Sequence, residues 1–433
     1  MFTAFVLILC FLALLGVIAA AGELSTRFGK VLVVGFVLRM LALAGARNVE
    51  LFSHQAGGDG NLYEEYARII AHSWERYGIH YVTMEELPDL GRTSLPPNLF
   101  GLIIYLNGGP TVIACTALTA LTACLTLLNF YALAKELGAE PRVAERIATV
   151  ILFAPSFMLY TSDMYKDGLV WFFTLGAVGS AFRLSRKLSV PHAVFGIVCL
   201  VAVWYVRYYL VFVCVAPLLV GFLGIGSKSP VRVILTSLVV GVAVAALMSY
   251  SRVLDDFGGT AQQAYDIATS KHMRGGNALG GSGVTFDDGG KATGALPTKL
   301  VYTLFAPFPW QGGSFGLHVG KIDTFMWYYF MYRSVIAARR LWRENRALLI
   351  GFASFMIPLS IAYATSMANI GLILRQRMPV VLIGALLASL SWPKQETAEE
   401  EEEEAEEGDE AAAGGEGEGS DEDVEAPRPV RAD

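Results

Sequence analysis

Eleven stretches of the chain are almost free of charge: residues 1–22, 31–46, 111–134, 147–160, 168–182, 193–205, 208–225, 232–249, 322–337, 347–366 and 377–391. A bilayer core is crossed by about 20 mostly apolar residues in helical form. The pattern predicts an all-α polytopic membrane protein with about 11 transmembrane helices, in a range of about 10–13. Phe100–Leu106 and Leu300–Pro309 are short enough to be re-entrant or interfacial pieces. The first run ends in IAAAG, as a signal peptide can, but no Lys or Arg precedes Arg27. Without the basic n-region of a signal it reads as a spanning helix.

The polar segments between the runs differ by side. Alternation puts Arg27/Lys30, Lys135/Arg142/Arg146, Arg183/Arg186/Lys187, Lys228/Arg232 and Arg339/Arg340/Arg343/Arg346 on one side. Short cytoplasmic loops are enriched in Lys and Arg, so that side is expected to be cytoplasmic. The two long loops, 47–99 and 250–299, then lie outside. Residues 250–299 contain GG pairs, GGSG and DDGG, the composition of a mobile connector. Residues 47–99 contain a helix signal, with Leu62, Tyr66, Ile69, Ile70, Trp74 and Tyr77 on one face and Glu64, Glu65, Arg68, His72 and Glu75 on the other. Such a helix is expected to lie along the outer membrane surface.

Composition agrees with the pattern: 54% hydrophobic and 17% charged, with a mean hydropathy of +0.49. A soluble enzyme, a nucleic-acid binder and a disulfide scaffold are disfavoured. Charge adds a boundary, because residues 394–433 hold 18 acids against 3 bases, while residues 1–393 carry 30 Lys+Arg against 21 Asp+Glu. The division expected is a membrane domain over 1–393 and a disordered, acidic, cytoplasmic tail over 394–433. The five cysteines lie in apolar runs, and the six histidines are scattered without an HExxH, so no metal ligands are assigned.

Candidate chemistry sits where charge meets the ends of the apolar runs. Asp59, in GGDGNLY (57–63), has two readings: a helix N-cap, in competition with an Asn61–Glu64 capping box, or a carboxylate exposed at the membrane–water boundary with glycines leaving room for a substrate. Asp163, Lys166 and Asp167 either cap the helix that follows and pair together, or serve a site. Arg207, in VWYVRYYLVF, is too apolar in its surroundings to be a solvated charge. Arg375 and Arg377 suit snorkelling anchors as well as a binding role. Arg39 reads as an internal pair partner, and the aromatic stripe from Phe325 to Tyr332 as packing.

The order of three segments carries a family likeness: Asp59 with Tyr63 and Ala67, then PPNLFGLIIYLNGGPTVIACTALTALTACLTLLNFYALAKELG, then APSFMLYTSDMYKDGLVWFFTLGAV. Together they resemble the GT-C membrane glycosyltransferases, in particular the bacterial protein mannosyltransferase-like and Rgt-type subgroup. The likeness covers roughly residues 50–225, and weakly LRQRMPV at 374–380. It implies a polyprenyl-phosphate-linked sugar donor, a glycan, lipid or protein acceptor, and a catalytic base at the position of Asp59. Two departures stand out. Gly60 follows Asp59 where the family commonly has a second acid, and Lys166-Asp167 replaces a Ser-Glu pair. They leave a divalent cation as an open question, with no cofactor specified by the sequence.

Glycosyl transfer from a lipid phosphate needs a carboxylate to take the acceptor's proton and cations to hold the departing phosphate. Tyr63, Asp163, Lys166, Asp167, Arg207, Arg375 and Arg377 are therefore candidate substrate-binding residues. Trp310, in APFPWQ, is a candidate donor-lining or interface-belt residue. The alternatives weighed against an outer-face glycosyltransferase are a cell-surface polysaccharide polymerase, which would not depend on Asp59, a lipid-linked oligosaccharide flippase or other transporter, and a non-catalytic assembly scaffold. No internal repeat supports a transporter.

Overall fold

The computed structural model describes residues 2–22, 24–48, 50–90, 93–223, 284, 286, 294–313, 315–366 and 369–392. The apolar run 232–249, nearly all of the loop 250–299 and the acidic tail lie outside the described residues. The described residues are helical, with no strand. In chain order the helices are α1 Phe2–Ala20, α2 Thr26–Asn48, α3 Glu50–Tyr77, α4 Leu95–Asn107, α5 Val112–Glu136, α6 Pro141–Leu152, α7 Pro155–Leu159, α8 Asp167–Arg186, α9 Val190–Arg207 and α10 Tyr209–Leu223. After residue 294 come α11 Leu296–Phe305, α12 Phe315–Glu344, α13 Arg346–Ser366, α14 Ile370–Gln376 and α15 Met378–Ser389.

Five helices (α1, α5, α8, α9 and α13) are long and apolar enough to cross a membrane, or six spans if α14 and α15, bent by 50°, are one. The elevenfold pattern therefore resolves into fewer full-length apolar spans among the described residues. Residues 147–160 show one reason. They are not one span: α6 stops at Leu152 and α7 restarts at Pro155, because proline supplies no N–H to the turn before it. At 12 residues, α6 rises only about 18 Å. It buries one face, through Val143, Ala144, Ile147, Ala148 and Ile151.

The ends of the helices sort into two sets. Arg183 of α8 pairs with Glu136 of α5, and Ser25, just before α2, hydrogen bonds Glu145 of α6. Arg333 reaches Ser391 and stacks on Trp392, fixing the end of α15. At the other ends of these helices lie Thr111, Asp167, Arg207 and Met378. All five native cysteines are buried in the apolar interior.

α3 and α4 form a layer over that second set of ends. Ile70 and Trp74 of α3 pack with Val82 and Leu90 of the following loop. Asn98 of α4 fixes that loop by exchanging two 2.9 Å hydrogen bonds with the backbone of Val82. His80, half-buried in the same loop, has its pKa pushed up by the Gly78 carbonyl and by Glu86. Tyr81 packs edge-on against Tyr205, tying the loop to the Arg207 end of α9.

This arrangement makes sidedness testable with little background from the buried native thiols. Glu85→Cys in the loop should react with a membrane-impermeant maleimide in intact cells, and Arg340→Cys should react only after permeabilisation. The reverse pattern would put the α3–α4 layer on the inner side.

Candidate anion-binding site

α8 opens with Asp167 in its first turn, where a carboxylate is favoured by the positive end of the helix dipole. Two arginines far away in sequence converge on it. Arg207 Nη2 donates to Asp167 Oδ1 at 3.2 Å, and Arg375 Nε donates to Oδ2 at 2.6 Å. Asp167 is 0% exposed, Arg207 5% and Arg375 7%. Two guanidinium groups thus meet one carboxylate in a buried place, and arginine keeps its proton under all ordinary conditions. Burying ions costs several kcal/mol each unless they are compensated.

Aromatic rings line the triad. The Arg375 guanidinium lies over Tyr160 at 5.2 Å and over Tyr165 at 5.4 Å. Arg207 sits 6.0 Å from the Tyr209 ring centre, and Tyr209 packs edge-on against Tyr363. Asp163, at the turn between α7 and α8, accepts from the Met164 amide and is held through its carbonyl by Thr119 of α5.

α3 meets this turn through a glycine. A Cβ added at Gly60 would stand 3.6 Å from the Asp163 carboxyl and 3.7 Å from the Tyr165 ring, so the helix backbone passes close to both. One turn further along α3, the Tyr63 ring lies 5.6 Å from Lys166 Nζ. Asp59 directly precedes Gly60 inside α3. The N-cap reading of Asp59 is thereby corrected: α3 starts at Glu50, and Asp59 stands within its helical turns. The GGDG cluster does not break the helix, because the apolar face that follows is packed on α4 and this tertiary contact outweighs glycine's weak local preference. The Asp59 side chain itself lies outside the described residues.

The other candidates separate. Lys166 stands at the N-cap of α8 without a side-chain cap bond, and each Asp167 oxygen accepts from an arginine. Arg377 donates to the carbonyls of Leu304 at 2.9 Å and Ala306 at 3.0 Å and to Thr324 at 3.2 Å, closing the end of α11. Its guanidinium serves the backbone, which explains its burial without a phosphate. Trp310 is 81% exposed and stacked on Phe308. Arg39 pairs with a hydroxyl, carbonyls and the Phe157 ring rather than with a carboxylate.

Sequence reading passed over Tyr160, Tyr165, Tyr363 and the buried Asp323 of α12. Asp323 had a signal, since a lone acid inside the apolar run 322–337 is functional by default. Among the described residues no three His, Cys, Asp or Glu side chains gather as a metal site. Comparison with protein families, with curated proteins and with solved structures gives no match.

Proposed function

We propose that this chain is a membrane glycosyltransferase of GT-C type, moving a sugar from a polyprenyl-phosphate donor to a glycan, lipid or protein acceptor at the outer face of the cytoplasmic membrane. The observation that carries the reading is the buried convergence of two guanidinium groups, Arg207 and Arg375, on Asp167. Arginine's planar fork suits a phosphate, and two such groups stand together here. α9 adds support: Val194, Ile197, Val198, Val201 and Tyr205 are exposed along the helix that ends in Arg207. An apolar outer face leading to a cation suits a lipid phosphate, whose tail stays in the bilayer.

In this mechanism Asp59 takes the proton of the acceptor hydroxyl as its oxygen bonds to the anomeric carbon. The bond from that carbon to the phosphate oxygen breaks on the opposite face, so configuration inverts. The electron pair leaves with the polyprenyl phosphate, and Arg207 and Arg375 hold the added charge. A second reading, a polysaccharide polymerase, would use the same two arginines, which α9 and α14 supply.

Mass analysis of lipid-linked sugars and envelope glycans in a strain lacking the protein separates the two. A transferase mutant accumulates one polyprenyl monophosphate sugar and loses that sugar from the envelope. Accumulation of diphosphate-linked repeat units with loss of long chains would support the polymerase instead.

The acidic tail is cytoplasmic in this reading and takes no part in transfer. Truncation after Lys394 is expected to change purified activity by less than about twofold, since a chain this charged buries no core. A folded truncation without activity would give the tail a role in catalysis.

A further inference from the structure

The stretch between α6 and α8 carries Tyr160, Asp163 and Tyr165, yet its only helix is the five-residue α7. A single helical turn does not order itself. Two buried charged side chains from distant parts of the chain reach into this stretch. Arg39 of α2, 0% exposed, donates from Nη2 to the Leu152 carbonyl at 2.9 Å and from Nε to Thr161 Oγ1 at 2.7 Å. One guanidinium thus spans α7 from before its start to past its end, with the Phe157 ring 5.4 Å below.

Asp323 of α12 takes hold at the N-terminal turn. Its Oδ2 accepts from the Ser156 amide at 2.9 Å and from Ser156 Oγ at 2.5 Å. The next residue, Thr324, accepts from Arg377 Nη2 at 3.2 Å, and Arg377 stands at the bend between α14 and α15, two residues after Arg375. α12 therefore grips both the stretch that leads into Asp167 and the bend that carries Arg375. Apolar side chains would pack this interior more cheaply than buried ions. What the ions add is fixed geometry.

We propose that Arg39 and Asp323 are positioning residues that set the turn 160–167 against Arg375. The claim rests on the reading of the Asp167–Arg207–Arg375 triad as a phosphate site. Arg39→Lys would lose the clamp, because a single ammonium cannot reproduce a fork that bonds Leu152 and Thr161 together. Thr161→Val, which loses the Arg39 contact and the hydroxyl's bond to the Phe157 carbonyl, and Ser156→Ala, which loses the hydroxyl's bond to Asp323, are gentler variants that neither add nor remove a charge.

The test pairs hydrogen exchange with binding of bare polyprenyl phosphate in nanodiscs. In Thr161→Val and Ser156→Ala, amide exchange across 153–166 is expected to rise about tenfold, with α5 and the centre of α8 unchanged. Polyprenyl phosphate should bind about tenfold more weakly, and this loss should shrink in an Arg375→Gln background, as coupled sites require. Unchanged exchange across 153–166, or losses that simply add to that of Arg375→Gln, would overturn the proposal. Faster exchange in the variants of a protein that binds no polyprenyl phosphate even as wild type would uphold the clamp and overturn the phosphate reading.

Discussion

Asp59→Asn is expected to leave a folded protein that has lost most of its transfer activity. General-base catalysis by a positioned carboxylate contributes about 10²–10⁴-fold, because a hydroxyl is a poor nucleophile until its proton is taken. The substitution keeps size and shape. Asn and Asp have nearly equal helix preference in a helix interior, so the change in stability should be within about 0.5 kcal/mol. Asp59 stands inside α3, whose start is nine residues earlier at Glu50, so loss of a cap cannot account for an effect. Binding of polyprenyl phosphate should persist, since the arginines are untouched. A well-folded Asp59→Asn protein with full turnover would remove the residue from catalysis and favour the polymerase reading.

The second large effect is expected at the triad, where two kinds of variant separate charge from folding. Asp167→Asn removes the one carboxylate that Arg207 and Arg375 share. Breaking a buried pair from one side costs about 3–5 kcal/mol, because the partner is left uncompensated. Here two partners are left, so a clear fall in melting temperature is expected, partly restored by added polyprenyl phosphate as a replacement anion. Arg375→Gln acts on the other term. It leaves Asp167 paired with Arg207 and removes one of the two guanidinium groups, so the protein should fold while turnover falls by about 10²–10³. Arg207→Lys should also impair turnover, since a point charge lacks the fork. If all three variants kept wild-type turnover, the triad would be a structural ion cluster only.

Much of this was legible in the sequence, for physical reasons that also mark where legibility stopped. Charge at the end of an apolar run is expensive to bury, so Asp167, Arg207 and Arg375 stood out before any contact was known. Their partnership did not, because Arg207 and Arg375 lie 40 and 208 residues from Asp167, and only the tertiary packing of α9 and α14 against the start of α8 brings them together. The helix after GGDG was visible in its apolar face, while its true start was not. Glycine and aspartate weaken a helix locally, and packing on α4 is a tertiary term that no window along the chain contains. Arg377 illustrates the opposite limit. Two residues from Arg375 and alike in sequence, it turns to the carbonyls that end α11, because the 50° bend between α14 and α15 points the two side chains at different neighbours. The run 147–160 misled through composition alone, since apolar content does not record that Pro155 interrupts the helix.

The central claim is that a lipid monophosphate sugar gives up its sugar at the Asp167–Arg207–Arg375 site, and purified full-length protein in nanodiscs tests it most directly. With radiolabelled polyprenyl-monophosphate sugars and extracted envelope glycan as acceptor, one donor should release polyprenyl phosphate in step with label entering the glycan. Arg375→Gln should abolish both together. Wild-type protein that leaves every monophosphate donor intact, yet elongates diphosphate-linked units, would contradict the account.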